Sequence, residues 1–141
     1  MADSTRSSGI RCVIVTPETT VVDTSARGVI LPLEDGQRGI GRGHAPFIGR
    51  LGAGEVRITL GDGREGSQSV FVDRGFVEVG HDVVTVVTQR ALTAERLDLA
   101  QARAALAEIT AQPATGEEAI AAKLAAQEAA REVVRIAGRS R

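Results

Sequence analysis

From residue 10 to residue 88 the chain is written in short, mostly β-branched apolar runs, each stopped by turn residues. Residues 11–16 end at Pro17; residues 19–23, 26–33 and 47–51 follow. Residues 55–60 (Glu55-Val56-Arg57-Ile58-Thr59-Leu60) alternate polar and apolar, which predicts a strand with one buried and one wet face. Gly61-Asp62-Gly63 then reads as a hairpin turn, and residues 67–73, 76–79 and 83–88 complete the series. Short strands separated by glycine turns predict an antiparallel sandwich or barrel, with Val70, Val72, Phe76 and Val77 helping to fill its centre.

At Ala91 the pattern changes from period two to helical spacing. Valine and glycine give way to Ala, Leu, Glu, Gln and Arg, which favour helix. Leu99, Ala102, Leu106 and Ile109 form one apolar stripe, with Thr93 as the expected N-cap and Glu95 in the first turn. Pro113 interrupts. Thr115 and Glu118 then have capping-box spacing and open a second helix expected from about residue 116 to 137, with Gly138 as its stop and Ile120, Leu124, Val133, Val134 and Ile136 as its bulky apolar groups. Two helices joined by a short break predict an antiparallel hairpin. Because it is built mainly from alanine, whose buried methyl contributes only about 0.8 kcal/mol, its docking on the sheet should be weak and its position variable. The organisation expected is therefore a disordered tail over residues 1–9, a β-sandwich over 10–90 and a two-helix hairpin over 91–141.

Composition removes several classes of function. Over 141 residues the net charge is −1, so no bulk field attracts nucleic acid or an anionic membrane. Phe47, Phe71 and Phe76 are the only aromatic residues, too few for a base-stacking platform. No apolar stretch approaches the ~20 residues that a membrane span requires. Cys12 is the only cysteine, which excludes an intramolecular disulfide, and its apolar surroundings place it in the core.

Signals for catalysis are thin. His44 and His81 are the only histidines, and neither has a Cys, a second His or an acidic pair at metal-ligand spacing. His81 reads as a turn residue and His44 as a structural or interface residue. The glycines at 36, 39, 41 and 43 do not form G-x-x-x-x-G-K-[ST] or G-x-G-x-x-G. They read instead as a long, tight surface loop over residues 34–47, with positive φ at some positions. Arg131 and Arg135 are four residues apart on one helix face and could clamp a phosphate.

Asp35-Gly36-x-x-Gly39-Ile40-x-x-Gly43-His44-Ala45-Pro46, then Leu51-x-x-Gly54-x-Val56-Arg57-Ile58 and Gly75-Phe76-Val77-Glu78-Val79, resembles the epsilon subunit of F-type ATP synthases. The alanine-rich helices after Leu97-Asp98 extend the resemblance to nearly the whole chain. It implies a ten-stranded β-sandwich followed by a helical hairpin, in a non-catalytic subunit of the central rotor stalk. It further implies binding to the gamma subunit and the c-ring, coupling of rotation to proton or sodium flow, and transient contact of the hairpin with the alpha and beta catalytic subunits to restrain ATP hydrolysis. The subunit would then be peripheral to the membrane through its complex, on the cytoplasmic side of a bacterial plasma membrane. By this resemblance Asp35, Gly36, Gln37, Arg38 and His44 face the c-ring. Arg42 stands where many members have proline. Members that bind regulatory ATP carry [IL]-D-x-x-R-A in the first helix and arginines in the second. Leu97, Asp98, Arg131 and Arg135 match that set, but Gln101 replaces its arginine, so tight ATP sensing is not expected and no cofactor is implied. The rival reading from the residues is a small nucleotide-binding regulatory module.

Overall fold

The computed structural model describes residues 9–139. The tail expected over residues 1–9 thus lies, except for Gly9, outside the described residues. Seven strands form the N-terminal part: β1 (Ile10–Val15), β2 (Thr20–Leu33), β3 (Gly36–Ile40), β4 (Phe47–Leu60), β5 (Ser67–Gly80), β6 (Val83–Thr88) and β7 (Ala91–Thr93). Their order is β1-β6-β5-β4-β2-β3, β7 adds to β5, and β1 also pairs with β2, which closes the sheet on itself. All pairs are antiparallel except β1 with β6.

The expectation of about ten short strands differs from this count for a physical reason. β2, β4 and β5 are each 14 residues long, so each takes the place of two short strands; the β2–β4 pairing shifts register twice, and β5 turns a corner. In β5, residues up to Val72 pair with β7, whereas Gly75–Gly80 pair with β6. The corner is Arg74 at φ 64° followed by Gly75 at φ 129°. A Cβ on Gly75 would lie 2.0 Å from the carbonyl oxygen of Val87, so glycine is required there. Thr88, which is buried, fastens the corner: its hydroxyl donates to the Arg74 carbonyl at 2.6 Å and accepts from the Asp73 N–H at 3.2 Å.

Alternation along the strands fills the centre with Ile14, Leu31, Leu51, Val56, Ile58, Val70, Val72, Val77, Val84 and Val86, all 1% exposed or less. Cys12 belongs to this core, and burial, followed by the nearby charge of Asp23, pushes its thiol up to about 12, so it is inert at neutral pH. Phe76 is not a core residue. It is 53% exposed, because the corner at Arg74-Gly75 puts it on the outer face with Glu78.

Beyond β7, Ala94–Arg96 make one 3₁₀ turn before α1 (Leu99–Ala111), and α2 (Glu117–Arg139) runs back along it. Thr93 precedes only the 3₁₀ turn and makes no side-chain cap. The cap of α1 is Asp98, whose carboxylate accepts from the Gln101 N–H at 2.9 Å. Gly116, at φ 94°, is the cap residue of α2, since its carbonyl accepts from the Ile120 N–H. The Thr115–Glu118 pattern is therefore displaced by one residue from a capping box. Gly138 does not end α2, which continues to Arg139.

Candidate functional site

The glycine-rich segment is a strand and a loop rather than one loop. After a turn at Glu34-Asp35, β3 pairs along β2 with Leu33 opposite Gly36, Pro32 opposite Gln37, Leu31 opposite Arg38 and Val29 opposite Ile40. Only Ile40 is buried; Asp35, Gly36, Gln37, Arg38 and Gly39 are exposed. Positive φ occurs at Gly36 (128°) and Gly43 (79°), where chain reversals require glycine.

Two contacts stiffen the exit of this segment. Asp82, at the left-handed turn between β5 and β6, accepts from the Gly43 N–H at 2.7 Å. His44 is half-buried, with its Nδ1 2.7 Å from the Ala45 carbonyl and its ring 5.4 Å from that of Phe47. The Arg38 guanidinium lies over the ring of Phe47, 4.9 Å from its centroid. Arg38 and Phe47 also line a groove of about 360 Å³ with Leu33, Glu34, Asp35 and Ile48. Of the five residues expected at this end, the structure thus ties Arg38 and His44 to Phe47, while Asp35, Gly36 and Gln37 are exposed at the β2–β3 turn. His81 is the exposed turn residue expected, at φ 52°.

Beside this tip lies an apolar outer face. Cross-strand register aligns Arg50, Phe76 and Val87 in one row and Ile48 with Glu78 in the next. Ile48 is 74%, Phe76 53% and Val87 49% exposed. The Arg50 guanidinium sits 5.9 Å over Phe76. Three large apolar side chains are thus left exposed on adjacent strands.

The hairpin covers the opposite layer. Phe71, Ala129 and Ile136 form a buried cluster, joined by Ala53, Leu92, Ala94, Leu97 and Val133. Around it α2 is tied by charge. Arg74, at the β5 corner, reaches Glu128 at 2.7 Å and the Ala125 carbonyl at 3.4 Å. Glu55 of β4 receives Arg139 in a hydrogen-bonded ion pair and has Arg135 at 3.8 Å. Of the four residues expected to meet a nucleotide, Leu97 is packed in the cluster and Asp98 caps α1. Arg135 is held by Glu132 at 2.7 Å, and Arg131 is exposed. Among the described residues neither arginine is hydrogen-bonded or ion-paired to Asp98. No group of three His, Cys, Asp or Glu side chains suited to a metal occurs among the described residues.

Sequence reasoning missed Glu55, Arg74 and Arg139. Alternation put Glu55 on the polar face of its strand, and it lies there, but α2 covers that face. Nothing local in the sequence signals such a cover.

Residues 9–94 match the family described as ATP synthase, delta/epsilon chain, beta-sandwich domain. The ATP synthase epsilon chain of Rhodopirellula baltica is 46% identical over 122 residues, 86% of this chain and 93% of that one. That of Polynucleobacter necessarius is 41% identical over 95 residues, 67% of each chain. Among solved structures, a chain of the Euglena gracilis mitochondrial ATP synthase (OSCP, F1 and c-ring) superposes with a TM-score of 0.77 at 18% identity, covering 89% of this chain and 79% of that one. A chain of the Tetrahymena thermophila mitochondrial ATP synthase central stalk and c-ring superposes with a TM-score of 0.67 at 12% identity, covering 91% of this chain and 96% of that one. At such identities these two structures establish likeness of fold.

Proposed function

We propose that this chain, which belongs to the delta/epsilon family of ATP synthase subunits, works as a rotor part that transmits torque between the c-ring and the gamma subunit. It is a stalk subunit and not a catalytic one. The observation that carries the reading is the exposed apolar face of Ile48, Phe76 and Val87, in two neighbouring cross-strand rows, next to a glycine-shaped tip on the same sandwich. A torque-bearing part needs two separate contacts on one stiff body. The apolar face suits the lasting contact with gamma, because burying it removes large side chains from water. The exposed polar tip, with Asp35, Gly36, Gln37, Arg38 and His44, suits the c-ring, where polar loops fix register.

Residues 10–90 are assigned the stalk contacts and residues 91–141 the regulatory role, in which the hairpin leaves the sandwich, reaches the alpha and beta subunits and restrains hydrolysis. The subunit is placed on the cytoplasmic side of a bacterial plasma membrane, held there by its complex; the bacterial relatives support that placement, and no described helix is long and apolar enough to cross a membrane. Nucleotide sensing is the weaker reading, because Arg135 is already committed to two carboxylates and Asp98 to its helix cap.

The test is assembly. The chain should co-purify with its gamma subunit and raise proton pumping in vesicles reconstituted with the rest of the complex. Truncation after Gln89 should retain both effects and raise ATP hydrolysis. Failure to bind gamma would overturn the stalk assignment; unchanged hydrolysis on truncation would overturn the regulatory one.

A further inference from the structure

The C-terminal half of α2 meets the sandwich through Ile136 and Val133, several alanines and one carboxylate of β4. Ala129, Ala130 and Ala137 are buried, and such methyl contacts are non-directional, so they do little to choose one position of the helix over another a turn away. Glu55 is different. Its side chain is 6% exposed, fixed in β4 between buried Gly54 and Val56. Facing it are Arg135, Arg139 and, through Arg135, Glu132 from α2, and the Ser69 hydroxyl from β5. Arg135 and Arg139 are four residues apart and share a helix face, so both reach the carboxylate only when that face is over β4. The second charge contact, Arg74 with Glu128, is open to water, with side chains 36% and 63% exposed, and such pairs contribute little.

We propose that Glu55 is the catch that fixes the docked position of the hairpin, and that the hairpin is released by separation of Arg139 and Arg135 from it. The inference rests on the reading that the hairpin leaves the sandwich. It names the atoms that decide when.

The electrostatics give this catch an asymmetry that a mere packing contact lacks. When the hairpin leaves, Glu55 is rehydrated, so the intact pair contributes modestly to docking. Without the two arginines, docking would bury an uncompensated carboxylate, and the docked state becomes strongly unfavourable. Without the carboxylate, the arginines extend into water and the loss is small. Removing the carboxylate as well should therefore restore docking that the arginine substitutions destroyed.

Thiol trapping of the full-length chain tests this. Ala129→Cys places a thiol beneath the hairpin, where a maleimide reaches it only on release; Cys12, fully buried in the sandwich core, stays unreactive. Arg135→Gln with Arg139→Gln should raise the trapping rate at neutral pH about tenfold or more. Glu55→Gln alone should raise it less than about threefold. The triple variant should trap at close to the Glu55→Gln rate. Trapping of the double arginine variant at the parental rate, or a triple variant as fast as the double, would overturn the proposal. Binding of each variant to the gamma subunit, measured beside it, reports on the stalk assignment independently.

Discussion

Ile136→Ala separates the two halves of the molecule energetically. Ile136 is fully buried, in the cluster it forms with Phe71 and Ala129 beneath the hairpin, and it has no part in the sandwich core. The substitution deletes three carbon groups, worth about 0.8 kcal/mol each in transfer. Incomplete collapse of the cavity brings the expected cost to ~2–5 kcal/mol. The other buried apolar residues of the two helices are Ala102, Ala129, Ala130 and Ala137, whose methyls contribute about 0.8 kcal/mol each at most. One truncation thus removes as much as those four alanines supply together, and the hairpin should release while the sandwich stays folded. Native-state hydrogen exchange resolved by segment measures this. Amides of α2 should exchange about 30-fold faster or more, as a loss of ~2 kcal/mol requires, while β1 and β6 keep their protection. The melting temperature of the sandwich should stay within about 2 °C of the parent. Parallel loss of protection in β1, β6 and α2 would show one cooperative unit and refute the argument.

Three further outcomes are expected. Burial pushes the Glu55 carboxyl up, but hydrogen bonds from Arg139 and Ser69 and the charges of Arg139 and Arg135 outweigh it and hold the group below its ordinary value. A depressed carboxyl stabilises docking above its unfolded value and loses that effect as pH falls through the folded one, so α2 protection should be flat from pH 7 to about 5 and fall below about 4; protection that rises on acidification would contradict the sign. Gly75→Ala should cost about 3 kcal/mol or more in urea unfolding, since it combines a φ of 129° with a Cβ 2.0 Å from the Val87 carbonyl oxygen, and a loss under about 1 kcal/mol would show that the corner yields. Phe76→Glu should cost no more than about 1 kcal/mol of stability, because half of the side chain is in water already, yet weaken gamma binding about tenfold or more in a pull-down titration; undiminished binding would remove the apolar face from the gamma contact.

What could be read from the residues follows the range of the forces involved. Period two over residues 55–60 and the helical spacing from Leu99 are local, and a strand and a helix form there; the change of pattern at Ala91 does not mark the start of the helix, because Ala91–Thr93 pair with β5 as β7. The family motif is local as well, and it carried the assignment. Phe76 shows the first limit. Its pattern within residues 76–79 fits a core position, but the left-handed corner at Arg74-Gly75 rotates the strand and sends the ring outward. A strand's inside and outside are fixed by what its corner does, and the period alone does not record that. The α1 cap shows the second limit: Thr93 and Asp98 both precede helix-forming residues, and the choice of Asp98 follows from β7 pairing with β5 through Thr93, which holds that residue in the sheet. Glu55 shows the third. Its covering by α2 joins residues 84 positions apart, and no window along the chain contains both partners.

The anchors along α2 are unevenly placed, which bears on the proposed release of the hairpin. Residues 117–122 at its start are exposed, including Ile120 at 47%, and Leu124 follows at 59%. Burial begins at Gln127 and continues through Ala129, Ala130, Ile136 and Ala137. The first half of the helix therefore rests mainly on α1, with Arg74 of β5 reaching the Ala125 carbonyl and Glu128 near mid-helix, and the buried contacts that must separate for the hairpin to swing away lie in the second half. That second half is held by alanine methyls, one isoleucine and the Glu55 pair, while the sandwich beside it is held by a closed sheet over a valine-rich core. A rotor part must not deform under load, and a regulatory arm must lie close to balance between two positions. On the proposed reading, the change from a valine-rich sandwich to an alanine-rich hairpin suits these two tasks, and substitutions at Ile136 or the Glu55 arginines should change regulation without changing torque transmission.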